Sequence, residues 1–246
     1  RRTRGACMRR PSRGILGGMS HPAPPSSEDV PASLAAWIGS HESRAPASAR
    51  HVHVAQVGEL RTKPGGRWIP FRATQRLAID QVSFAWRAHL RVAHVVPLLV
   101  TDAFDGRRGS GSVRLAGLVP LARVAGEAID QAQIQRYLAE LAWNPLALLR
   151  VPALRRGEGE DGSLRVGWGP AAAHVDLFVD SEGRIVRTFT RTRPRDGGLP
   201  EPWEGRYVAY GDVGGYVVPV EAEVTWHTPE GPFPCWRGRI TRYELT

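Results

Sequence analysis

Apolar and polar residues alternate along most of this chain, and one stretch alone changes to a helical period. The clearest alternation sets Phe84, Trp86, Ala88, Leu90 and Val92 on one face and Ser83, Arg87, His89 and Arg91 on the other. Period two with a single apolar face predicts a half-buried antiparallel strand. The pattern returns from Tyr216 to Trp226, where Val218, Val220, Ala222, Val224 and Trp226 oppose Glu221 and Glu223. Weaker strands are predicted at His51–Leu60, Trp68–Ala73, Leu98–Phe104, Ser112–Val119, Val175–Val179, Ile185–Phe189 and Trp236–Tyr243. Turns at Pro64-Gly65-Gly66, Asp105-Gly106 and Ser181-Glu182-Gly183 separate several of them. Residues 155–162 and 193–200 read as loops.

Between the two blocks of strands, Ile134, Tyr137, Leu138 and Leu141 recur at i, i+3, i+4 and i+7, the apolar stripe of a helix. It should start near Gly126-Glu127 and stop at Pro145, which biases Asn144 out of the α region. Glu140 lies about 100° round from the stripe and flanks the buried face. A shorter helix carries Leu34, Trp37 and Ile38, with Asp29 as its cap and Pro31 in its first turn. Residues 40–50 read as a linker.

About ten strands, about 4.8 Å apart, make a sheet far broader than one helix about 22 Å long can cover. The sheet must therefore curl. The expected fold is α+β: a large curved, mostly antiparallel β-sheet, half-barrel-like, wrapped round one central helix, with a short N-terminal helix. Residues 1–28, basic and then rich in proline and serine, read as a disordered leader, and 29–246 as a single domain.

Composition changes this picture little. The net charge is +9, and of 33 basic residues only Lys63 is lysine. Six of the arginines lie in residues 1–18, which hold no acid, so the rest of the chain carries +3. That is no strong nucleic-acid signal. Cys7 and Cys235 are the only cysteines, too few for a disulfide framework, and fit a reducing compartment. No run reaches the ~18 apolar residues of a membrane-spanning helix. The basic opening lacks the apolar centre of a secretory signal, so a soluble, cytoplasmic protein is expected. Met19 reads as a better start than Met8.

Several anchors together carry a family resemblance: Trp68-Ile69-Pro70-Phe71, Phe84-Ala85-Trp86, Arg136-Tyr137-Leu138-Ala139-Glu140, Trp143-Asn144-Pro145, Pro202-Trp203-Glu204-Gly205, Val218-Pro219-Val220-Glu221 and Trp226. Across residues 30–245 the chain resembles an uncharacterised bacterial domain-of-unknown-function family. Such proteins often place a proline before the Phe-x-Trp strand and a tyrosine near Asp102; here Val82-Ser83 and Phe104 stand instead. The shape the resemblance implies is similar to the curved half-barrels of bacterial lipoprotein carriers. It implies no activity.

G-x-S-x-G, H-E-x-x-H and C-x-x-C are all absent. Glu140 is either a polar group at a pocket's edge, suited to acid–base work, or an acceptor for Arg136 or a tryptophan N–H. His51 and His53 share a strand face without a third metal ligand. Asp102, Asp105, Gly106, Gly109 and Gly111 fit a glycine-rich hairpin better than a calcium or phosphate loop. Glu221 and Glu223, neighbours along one strand, read as a solvated face instead of a glycosidase pair. The tryptophans either fill a core or line a cavity. The leading expectation is a binding protein holding a hydrophobic or lipid-like small molecule between sheet and helix. Its site would be lined by Trp86, Leu90, Tyr137, Leu141 and Val220, with Glu140 near the mouth. The alternatives are an enzyme using Glu140 or Asp102, and a non-catalytic interaction scaffold. No cofactor and no metal is implied.

Overall fold

The computed structural model describes residues 30–92, 95–195 and 198–246. The leader and the Asp29 cap lie outside these residues. A meander of six strands comes first: β1 (His51–Leu60), β2 (Ile69–Ala78), β3 (Phe84–Val92), β4 (Val96–Phe104), β5 (Gly109–Leu115) and β6 (Val119–Ala125). The second meander is β7 (Arg155–Glu158), β8 (Leu164–Gly167), β9 (His174–Val179), β10 (Ile185–Pro194), β11 (Pro200–Val213), β12 (Tyr216–Thr228) and β13 (Gly231–Leu245). The last strand pairs antiparallel with the first, Val52 opposite Leu245, so both meanders join into one sheet ordered β6-β5-β4-β3-β2-β1-β13-β12-β11-β10-β9-β8-β7.

This topology places the helix. The chain must travel from β6 at one edge to β7 at the other, and α2 (Glu127–Ala139) makes that crossing. It packs on β4, β5 and β6 of one arm and on β8, β9 and β10 of the other. Glutamines tie it to both arms: Gln133 donates to the Ser110 carbonyl at 3.3 Å, Gln131 to the Thr192 carbonyl at 2.5 Å and Gln135 to the Thr192 hydroxyl at 2.9 Å. Gly109 permits the close approach, because a side chain there would meet the Ile129 carbonyl at 2.8 Å. The stripe of Ile134, Tyr137, Leu138 and Leu141 is buried as expected. The Tyr137 hydroxyl donates to the Ala78 carbonyl at 2.7 Å, and Asn144 donates to the same oxygen at 2.8 Å.

The structure corrects several boundaries. Thirteen strands are present among the described residues, against about ten expected. The missed ones are β6, β7, β8 and β11: β6 is exposed along its whole length, β7 and β8 have four residues each, and register shifts interrupt the alternation of β11, so none shows a clean apolar period to read. Strand β10 runs on to Pro194 and β11 begins at Pro200, so strand reaches both ends of the span read as a loop at 193–200. The α2 helix ends before Pro145: it tightens into a 3₁₀ turn at Glu140–Ala142, and a short helix, α3 (Ala147–Arg150), follows the proline. No helix among the described residues is long and apolar enough to cross a membrane.

The N-terminal helix, α1 (Ala32–Glu42), follows Pro31 and buries Leu34, Trp37, Ile38 and His41. Trp37 donates to the Val217 carbonyl at 3.2 Å, fixing α1 to β12. The His41 ring stacks on Tyr216, centroids 5.6 Å apart, with Nδ1 3.1 Å from the Trp37 carbonyl. Burial holds the His41 pKa below its ordinary value, the Trp37 carbonyl opposing and Arg44 assisting. The unfolded chain therefore takes up this proton first. The His41 contribution to stability is full above about pH 6.5 and is lost as pH falls below it, until the folded ring itself protonates. His41→Phe should flatten the fall of the urea midpoint across that window; identical slopes in both proteins would refute the assignment.

Candidate ligand-binding cavity

Alternation puts side chains of even number on the inner face of β1, and Gln56 follows Val52 and Val54 there. Gln75 likewise follows Phe71 and Ala73 on β2, and Asp102 follows Val100 on β4. These polar residues in an apolar phase meet the side of α2 that carries Arg136 and Glu140. Arg136 donates Nε to Glu140 at 3.0 Å, one turn on, and Nη1 to Asp102 at 2.6 Å. Its guanidinium also lies over the rings of Trp86, at 4.8 Å, and Phe84, at 5.3 Å. The second Glu140 oxygen accepts from Gln75. Gln75 in turn accepts from Gln56 at 3.2 Å, and Gln56 accepts the Trp86 indole N–H at 2.9 Å. Arg136, Glu140, Gln75, Gln56 and the Trp86 indole are thus all linked by hydrogen bonds, which makes the network a rigid wall. Burial works against the Arg136 charge, but Glu140 and then Asp102 outweigh it and raise its pKa.

The facing wall is aromatic and cationic. Arg193 of β10 stacks on Trp203 at 4.7 Å and Trp226 at 5.9 Å, and donates to the Ala132 carbonyl of α2. Arg195 lies over Trp226 and Phe233 and pairs with Glu201 at 3.1 Å. Between the walls is a cavity of about 330 Å³, also lined by Trp143, Tyr207, Cys235 and Trp236. Arg193 has no carboxylate partner among the described residues, and its buried Nε has no acceptor. Burial, and then the nearby Arg136 cation, push its pKa down to about 10. The Cys235 thiol is pushed up to about 11 by burial, against the pull of Arg193 and Arg195. It is a poor nucleophile at neutral pH.

Of the six residues expected to line a site, the structure brings Trp86 and Glu140 onto this cavity. Tyr137 and Leu141 lie in the core instead, about 100° round the helix from Arg136 and Glu140. Leu90 is buried beside a separate hollow with Phe71 and Leu98. Val220 is half-buried, two positions before Ala222, where the β12 lining begins. Sequence reasoning missed Gln56, Gln75, Arg193 and Arg195. For the glutamines the signal existed, as polar side chains in the inward phase; for the arginines none did, because they fell in a presumed loop.

The remaining candidates resolve simply. His51 and His53 face outward with ring centroids 6.2 Å apart, and no group of three metal-ligating side chains exists among the described residues. Asp105 caps its hairpin by accepting the Arg107 and Arg108 amides at 2.8 Å, which hold its carboxyl below the usual range. Glu221 and Glu223 sit opposite Arg239 and Arg237 on the outer face. Five of the eight tryptophans line the cavity.

Among curated proteins none matches the chain. Solved structures to which it is similar include a LolA superfamily protein from Nitrosomonas europaea, at 13% identity and a TM-score of 0.46, covering 87% of this chain and 93% of that one. A DUF1329 family protein from Desulfovibrio piger ATCC 29098 matches at 11% identity and a TM-score of 0.46, over 87% and 92% of the two chains. Residues 20–238 match the model of a family of unknown function, DUF6544, and the chain belongs to that family.

Proposed function

We propose that the protein is a binding protein whose cavity holds an amphiphile with an anionic head, its apolar part lying against the tryptophans and its head against Arg193. The observation that carries this reading is the Arg193 cation, stacked on Trp203 and Trp226 with no carboxylate partner among the described residues. A buried charge without a counter-ion is costly, and a bound carboxylate or phosphate would remove that cost. The volume suits a small ligand or part of a longer chain. Asp102 and Glu140 are engaged by Arg136, and no serine or histidine stands among the described lining residues, so catalysis has less support.

The test is titration with a fluorescent fatty acid and its methyl ester. The acid should bind more tightly than the ester, and Arg193→Met should abolish that preference. A charge-assisted hydrogen bond contributes about 1.5–3 kcal/mol, so the acid should lose roughly tenfold to a hundredfold in affinity. Equal binding of acid and ester by the wild type, or no binding of either, would overturn the proposal. Because the substitution removes an unpaired buried cation, its melting temperature should not fall.

A further inference from the structure

The outward faces of β2 to β6 share one sign of charge. Arg72 and Arg76 of β2, Arg87 and Arg91 of β3, Arg114 of β5 and Arg123 of β6 all point outward and are exposed, as is His89. Their cross-strand neighbours are neutral or basic: Arg72 faces His89, Arg87 lies between Thr74 and Thr101, Arg114 faces Leu99, and Arg123 faces Ser112. The acids of this arm are held elsewhere. Asp102 is on the inner face with Arg136, Asp80 is 4.0 Å from Arg50, Asp105 caps its own turn, and Asp130 of α2 takes Arg108.

One end of this face is also greasy. The β5–β6 turn and the start of β6 expose Leu118 at 82%, Val119 at 54% and Leu121 at 56%, beside Val96 of the β3–β4 hairpin. The two turns lie together, the Ala116 N–H donating to the Pro97 carbonyl at 2.9 Å. Strand register puts them at the end of the sheet where β1 finishes at Leu60, beside the lining residues Arg61 and Thr62.

We infer that this face and its aliphatic tip form a docking surface for an anionic lipid bilayer, with the arginines on the headgroups and Leu118 and Leu121 in the acyl boundary. Charge complementarity selects an anionic partner, and the exposed leucines beside Arg91 and Arg114 select a surface with an apolar interior over a nucleic acid. Docking in this pose brings the end of the sheet that holds the cavity lining to the bilayer. The inference does not depend on what fills the cavity.

Co-sedimentation of the full chain with phosphatidylglycerol vesicles, phosphatidylcholine vesicles and duplex DNA tests it. The wild type should bind phosphatidylglycerol vesicles, bind phosphatidylcholine vesicles far more weakly, and lose binding as salt rises. Each arginine near an anionic surface is worth about fivefold, so Arg87→Glu with Arg91→Glu and Arg114→Glu should weaken binding by about a hundredfold or more. Leu118→Ser with Leu121→Ser should weaken it by about tenfold. Exposed positions keep these variants folded, which unchanged melting temperatures would verify. Undiminished binding by either variant set overturns the inference. So does duplex DNA binding as tight as vesicle binding and indifferent to the leucine changes, which would assign the face to nucleic acid.

Discussion

Arg136→Leu should lower the free energy of unfolding by about 3–5 kcal/mol, the cost of leaving buried charge without its partner. The side chain of Glu140 is only 11% exposed and that of Asp102 29%, and both accept from this one guanidinium. Removing it leaves both carboxylates without the cation that bridges them. The same change takes the charge off the rings of Phe84 and Trp86. Urea denaturation checks the size of the effect. Adding Glu140→Gln should restore part of the loss, because the amide remains a hydrogen-bond partner for Gln75 without requiring a counter-ion. A midpoint for Arg136→Leu within error of the wild type would mean that the network is solvated and contributes nothing.

Trp143→Ala should cost about 3–5 kcal/mol, the range for removing a large buried aromatic ring. Trp143 is 5% exposed, donates to the Pro219 carbonyl at 2.9 Å, and packs edge-on against Tyr207 and Trp236. It stands where the chain leaves α2, so it fixes the end of the helix against the second arm of the sheet. Because the ring also lines the cavity, the variant should admit a bulkier probe even as it loses stability. An unchanged denaturation midpoint would show that the ring does not hold the helix end in place.

Much of the fold was legible because its strongest signals are local. The alternation from Phe84 to Val92 is β3, residue for residue, and the start near Glu127 is the first residue of α2. The mismatch between a broad sheet and one helix required curvature, and the order of blocks put the helix between them. The family resemblance was carried by the spaced tryptophan and proline anchors. The Arg136–Glu140 pair, too, follows from a spacing of four on one helix. Strands β6, β7 and β8 stayed hidden because edge and short strands bury too little of one face to impose a period, and β11 because register shifts break its alternation.

The sequence by itself determined which residues share a face: the helix stripe, the apolar face of β3, and its outward arginines. Tertiary structure alone decided what each face meets. An apolar stripe records that it is buried but not against what, and here the crossing of α2 between the sheet's two edges seats Tyr137 and Leu141 in the core and turns Arg136 and Glu140 to the cavity. Arg193 became a cavity wall, and six outward arginines became a single field, only through register between strands. Net charge is a sum and carries no positions, and the pairing of β1 with β13, about 190 residues away along the chain, depends on contacts no local window contains.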